Sequence, residues 1–288
     1  MDSSTIILLE KLQRVEITEY HIYKTIAKRV QNKENCDILH KIADDEMAHY
    51  RRWKKYTNKD FKPVRFKVWF YALIATLLGF TFTIKLMEKA EERGKVNYGM
   101  LVGKVEDVEL VIKDEHDHEH ALIDMLDEER LRYAGSVILG LNDALVELTG
   151  ALAGFTLALQ NTKLIALTGS ITGIAAALSM AASEYLATKT EDTSKHPLKA
   201  SVYTGIAYIF TVILLISPYL LLENYFLCLG ITLAFAILII AVFNFYISVA
   251  KDLSFSHRFW EMALLSMGVA ALSFGISFLL KQFFDIDL

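Results

Sequence analysis

Polar and apolar positions alternate along this chain in two regimes. Up to about residue 133 charged residues are dense, and the apolar positions recur every three or four residues, the period of helices with one buried face. Four such stripes are legible: Leu9, Leu12, Glu16, Tyr20, Tyr23, Ala27, Val30; then Leu39, Ile42, Glu46, His49, Trp53; then Ile84, Met87, Glu91, Tyr98, Leu101; then Val108, Val111, Glu115, His118, Leu122, Met125. From about residue 134 charge is sparse, and five apolar runs follow, near 136–159, 164–187, 203–222, 226–250 and 259–280. Each reaches the length of about 20 residues that a helix needs to cross a bilayer. The pattern predicts an all-α protein with two domains, 1–133 and 134–288, the second a five-span helical membrane domain.

One stretch fits neither regime. Val68 to Ile84 is uncharged and flanked by Lys67 and Lys85. A crossing there would put the second and fourth stripes on opposite sides of a membrane. The segment near 66–86 is therefore read as an interfacial helix, with Trp69 and Tyr71 at headgroup level, leading into the third stripe.

The four stripes are interrupted at their centres by metal-binding residue types. Glu46 and His49, and Glu115 and His118, are both Glu-x-x-His, a spacing that points two ligands from one helix face. Each motif is preceded by an aspartate, Asp45 or Asp114, and by an upstream glutamate, Glu16 or Glu91, with a tyrosine seven residues on. A glutamate from each of two helices plus Glu-x-x-His from each of two others is the ligand set of di-iron carboxylate bundles. Glu19 and Glu88, three residues from Glu16 and Glu91, are alternative carboxylate ligands. This half resembles rubrerythrin and its ferritin-like relatives. The resemblance implies a ferritin-like four-helix bundle holding two irons, with oxidase or peroxidase chemistry within reach, although no Cys-x-x-Cys pair for a second iron centre is present.

In the apolar half, GLNDALVELTGALAGF (140–155) places Asp143 and Glu147 on one face of a membrane helix, with no basic residue in the same run. A mid-bilayer carboxylate costs roughly 3 kcal/mol even on the lenient insertion scale, so such a pair marks a cation site or proton relay. The second run is rich in small residues, suited to close packing against the first, and carries Met180 and Glu184 four apart. A thioether beside carboxylates suits a borderline transition metal better than calcium or magnesium. These motifs, GLNDALVELTGALAGF followed by SMAASEYLA with five spans, resemble the vacuolar iron transporter family. The resemblance implies a homodimer that exports ferrous iron, or manganese, from the cytoplasm in exchange for protons. By that motif Asp143, Glu147, Met180 and Glu184 are the translocation residues.

Charge and composition narrow the partners. A net charge of −4 argues against nucleic acid. Arg130, Arg132, Lys189, Lys195, Lys199, Lys251 and Arg258 fall in one set of connections, Lys163 and Lys281 in the other, which predicts the N-terminal domain in the cytoplasm and a multi-pass protein of the cell membrane. The start of the sequence shows no basic region followed by an uninterrupted apolar core, so no signal peptide is expected. The expected partners are ferrous or other divalent transition-metal ions, protons, membrane lipid and a second copy of the chain. A membrane-anchored di-iron oxidase or peroxidase, and an iron sensor, are the competing functions.

Overall fold

A computed structural model describes residues 2–30, 32–92, 98, 101–106, 108–124, 133–191, 195–251 and 253–284. Among these the regular structure is helical, without strands. The chain divides into two compact units, Met1–Glu128 and Glu129–Leu288.

The first unit holds α1 (Ser3–Ala27), α2 (Lys33–Thr57), α3 (Arg65–Leu78), α4 (Phe80–Glu92) and α5 (Val108–Asp124). The ends of α1 and α2 follow local chemistry. Asp2 accepts a hydrogen bond from the Thr5 amide to start α1, and Asn32 accepts one from Asn35 to start α2. Asn58, left-handed at φ 51°, closes α2. α1 and α2 then pair antiparallel. Gln13 seals the pair: its amide donates to the Lys59 carbonyl at 2.9 Å and accepts from the Thr57 hydroxyl at 2.6 Å. The buried apolar residues form two layers. One joins Ile22, Ile26, Leu39, Ile42, Ile84, Met87 and Leu122; the other joins Leu9, Leu12, Trp53, Leu101, Val108 and Val111. The glutamates and histidines of the stripes lie between these layers in sequence on α1, α2 and α5.

The uncharged stretch from Val68 is two helices rather than one. Gly79 takes φ 96°, a conformation that costs a side-chain-bearing residue dearly, and separates α3 from α4. At 14 residues α3 is about 21 Å long, short of the hydrocarbon core.

The second unit holds α6 (Ala134–Leu159), α7 (Thr162–Thr190), α8 (Pro197–Leu221), α9 (Tyr225–Ala250) and α10 (Phe255–Phe284). All five are long and apolar enough to cross a membrane, and they fit a multi-pass membrane protein. Asn161 and Asn224 cap α7 and α9 by accepting from backbone amides, and Pro197 opens α8. α6 lies against α8, α10 and α7. Gly140 makes the α6–α8 approach possible: a Cβ there would sit 2.3 Å from the Thr204 carbonyl oxygen. Thr204 in turn donates to the Ser136 carbonyl at 2.9 Å. The small residues of α7 serve two neighbours. Gly169 packs on Leu152 of α6, as the sequence suggested, and Gly173 on Val212 of α8, the larger neighbour of α7, while Ala175, Ser179 and Ala182 remain exposed.

Candidate functional site

In the first unit, the helical spacing of α1, α2 and α5 brings Glu16, Glu46, His49 and Glu115 together. Each offers a ligand atom, all within 4.8 Å of one another, and among the described residues no other His, Cys, Asp or Glu group of three or more does so. The distances centre on His49 Nδ1: 3.6 Å to Glu46 Oε2, 3.7 Å to Glu115 Oε1 and 3.8 Å to Glu16 Oε2. These are too long for hydrogen bonds. They match the spacing of roughly 3–4 Å between donors that share one cation at about 2.1 Å. Glu46 also turns its other oxygen to His118 Nδ1, at 3.4 Å. It thus presents one oxygen to each histidine.

Among the described residues, four buried atoms of this cluster have no hydrogen-bond partner: Glu16 Oε2, Glu46 Oε2, His49 Nδ1 and His118 Nδ1. An unsatisfied buried polar group costs about 1–3 kcal/mol, more when charged. Four converging orphans, three glutamates and two imidazoles fit a divalent transition metal, since oxygen and imidazole donors together favour iron, manganese or zinc over calcium.

The remaining atoms are held from outside. Glu16 Oε1 accepts from Trp53 Nε1 and from the Tyr98 hydroxyl, both at 2.9 Å, so only Oε2 is left to face the cluster. The two histidines are tied crosswise. His49 Nε2 lies 3.1 Å from Asp114 on α5, and His118 Nε2 lies 3.1 Å from Asp45 on α2. Each carboxylate holds its imidazole as the tautomer whose Nδ1 is bare and aimed inward. The aspartates that precede the two Glu-x-x-His motifs therefore serve each other's histidine.

Charge follows the same geometry. Burial, and then the neighbouring Glu46 carboxylate, push Glu16 well above the usual carboxylate range. Burial would raise Glu46 too, but His118 and His49 outweigh it and hold it down to about 2. His118 is opposed by its own burial and is nevertheless raised by Glu46 and Asp45. Burial and the Glu16 charge raise the Tyr98 hydroxyl well above its ordinary value. Glu19 is half-buried and outside the four-residue group. Glu88 and Glu91 belong to α4, but their side chains lie outside the described residues.

In the second unit, Asp143 and Glu147 sit one turn apart on α6, Asp143 half-buried and Glu147 exposed. Glu147 accepts from the Tyr208 hydroxyl of α8 at 2.8 Å. Glu184 on α7 accepts from the Ser136 hydroxyl of α6 at 2.6 Å. Met180 is half-buried against the apolar core. Asp143, Glu147 and Glu184 do not close a ligand group of the kind found in the first unit. Sequence reasoning had no access to Tyr208, Ser136, Trp53 or the crossed aspartates as partners, because each pairing depends on which helices touch.

The architecture defines an all-helical membrane protein with a candidate metal site outside its spans. The comparison with known families narrows the class. A model described as the VIT family matches residues 134–196, which cover α6, α7 and the connection to α8. The match suggests a membrane transporter of metal such as iron or manganese. No curated protein matches the chain.

Proposed function

We propose that this chain is a VIT-type transporter that moves ferrous iron, or manganese, out of the cytoplasm in exchange for protons. Asp143, Glu147, Met180 and Glu184 are the translocation residues of this reading, and a ferritin-like four-helix bundle built from α1, α2, α4 and α5 is its cytoplasmic metal receiver or gate. The observation that carries it is the acidic face of α6 and α7 inside the matched segment. No lysine, arginine or histidine occurs from 134 to 162, and the partners of Glu147 and Glu184 are hydroxyls. Carboxylates kept free of cationic side chains within a span are costly unless a cation or proton neutralises them. Alternate occupancy by metal and proton is the chemistry of an exchanger.

Exposure of Glu147 supports a homodimer, because a second copy laid against this face would remove the carboxylate from lipid. In the first unit, Glu16, Glu46, His49, Glu115 and His118, with Glu91 from α4 and Glu19 and Glu88 as alternates, would hold two irons. The bound metal would supply redox and Lewis-acid chemistry there. Trp53 and Tyr98 fix which Glu16 oxygen is free, and Asp45 and Asp114 keep both imidazoles ready to bind. The Tyr98 hydroxyl at the cluster is the observation that favours a second reading, a membrane-anchored di-iron oxidase or peroxidase. Ferrous uptake into proteoliposomes under a pH gradient separates the two. The full chain should transport, and so should a chain beginning near Tyr133, at an altered rate. Absence of flux in both would return the first unit's chemistry to the centre of the account.

A further inference from the structure

Helix α3 has two apolar faces and buries only one. Val68, Tyr71 and Ala75 pack with Ala72 toward the core of the first unit, so Tyr71, unlike Trp69, does not lie on the exposed face expected for it. On the opposite side Phe66 is 69% exposed, Trp69 59%, Phe70 40% and Leu73 39%. Their spacing of three and four residues makes one continuous stripe. The rings of Phe66 and Trp69 lie 6.0 Å apart and those of Phe66 and Phe70 6.1 Å, so the stripe is a contiguous aromatic surface rather than scattered side chains. A contiguous exposed patch of this kind marks a contact with a partner or a membrane.

Beside the stripe, a cleft of about 610 Å³ opens between α1 and the start of α3. Arg29, Lys62 and Arg65 line it, together with His21, Thr25 and Trp69, and among the described residues no carboxylate does. One N–H of the Arg29 guanidinium donates to the Ala72 carbonyl, which fixes the group at the cleft wall and leaves its other donors available. The sequence repeats the bias, with no acidic residue between Asp60 and Glu88.

Aromatic side chains next to unopposed cations match the boundary of an anionic bilayer, where rings settle among headgroups and cations meet phosphates. Self-association fits less well. A two-fold contact brings the same patch against itself, which would set Arg65 and Lys67 of one copy near those of the other. The chain also carries its own bilayer, since it continues into five membrane-spanning helices. We propose that α3 is a peripheral membrane anchor: Phe66, Trp69, Phe70 and Leu73 enter the lipid interface, and the Arg29–Lys62–Arg65 cleft receives the phosphate of an anionic phospholipid. This rests on the spans of the second unit and not on the metal cluster or on transport.

The test uses the full chain with Cys36→Ser and Cys228→Ala, reconstituted in phosphatidylcholine vesicles with and without phosphatidylglycerol. A polarity-sensitive fluorophore is placed through Phe66→Cys or, as control, through Ile7→Cys, which is 68% exposed and lies on the first turns of α1. Doxyl-labelled lipid should quench the probe at residue 66 strongly in vesicles with phosphatidylglycerol, weakly without it, and little at residue 7 in either. Lys62→Gln with Arg65→Gln should shift the docked-to-undocked ratio about 30-fold toward undocked. Absence of lipid quenching at residue 66, or quenching indifferent to the anionic lipid and to the double substitution, overturns the proposal. Energy transfer between labelled copies in place of lipid quenching overturns it in favour of a second chain as occupant.

Discussion

Asp114 offers the most discriminating perturbation of the cluster. Its carboxylate lies 3.1 Å from His49 Nε2 yet keeps 44% of its side chain in water, whereas His49 is buried to 1%. The exposed carboxylate contributes little by itself, but its loss leaves the buried His49 Nε2 without that partner, at about 1–3 kcal/mol. The metal site makes a separate demand. Without the carboxylate, His49 can place its proton on Nδ1, the atom that faces Glu46, Glu115 and Glu16 at 3.6, 3.7 and 3.8 Å. Loss of such an outer carboxylate costs about 10–100-fold in metal affinity, or roughly 1.4–2.8 kcal/mol. Asp114→Ala should weaken binding of ferrous or cobaltous ion by that factor and lower the stability of the metal-free chain by about 1–3 kcal/mol. Asp45→Ala should act likewise through His118, and the double variant should depart from the sum, because the two histidines share Glu46. Chelator competition on the detergent-solubilised full chain measures the affinities. Unchanged affinity in both single variants, with His49→Ala abolishing binding, would refute the crossed-pair account of the site.

Two other outcomes follow from the geometry. Glu16 is raised by burial and by Glu46, and His118, despite its burial, by Glu46 and Asp45, so below either folded value a proton must leave before Oε2 or Nδ1 can bind; lowering the pH then costs up to about tenfold in affinity per unit for each such proton, whereas above both values the affinity is flat. A chelator titration from about pH 5 to 8 that shows no acid weakening would contradict this. Gly140→Ala, which drives a Cβ to 2.3 Å from the Thr204 backbone, should cost about 1–3 kcal/mol of stability in detergent, while Gly230→Ala, with open space around it, should be near neutral; equal melting of the two variants would remove the close α6–α8 contact from the account.

Much of this was legible in the sequence where the cause is local. Helical period and ligand spacing are short-range properties, so Glu46 with His49, and Asp143 with Glu147, can be put on common faces without knowing any neighbour. The five spans are equally local, since length and hydropathy decide them, and their observed bounds differ from the sequence reading only at the ends. What depends on contact between helices was not legible. Asp45 and Asp114 stand out as a repeated feature of the motifs, but their exchange of histidines exists only because α2 and α5 face each other. Trp53 reads as an apolar stripe member, yet its indole nitrogen is what turns Glu16 Oε2 inward. The neighbours of α7 show the same limit: Gly169 does pack on α6, but small residues do not announce the larger contact with α8. Gly79 carried a local signal, and the hydropathy of the stretch around it obscured the break between α3 and α4.

The proposed exchange mechanism stands on Asp143. Asp143→Asn preserves the side-chain shape and removes the charge that a ferrous ion would meet on α6. Proteoliposomes loaded with a pH-sensitive dye and an iron-sensitive dye report both sides of the exchange at once. The account predicts that the parent chain couples ferrous flux to proton movement, that Asp143→Asn abolishes both, and that the substituted chain still binds metal at the Glu16–Glu46–His49–Glu115 cluster. Parent-like flux in Asp143→Asn, or ferrous flux without proton movement in the parent, would contradict it.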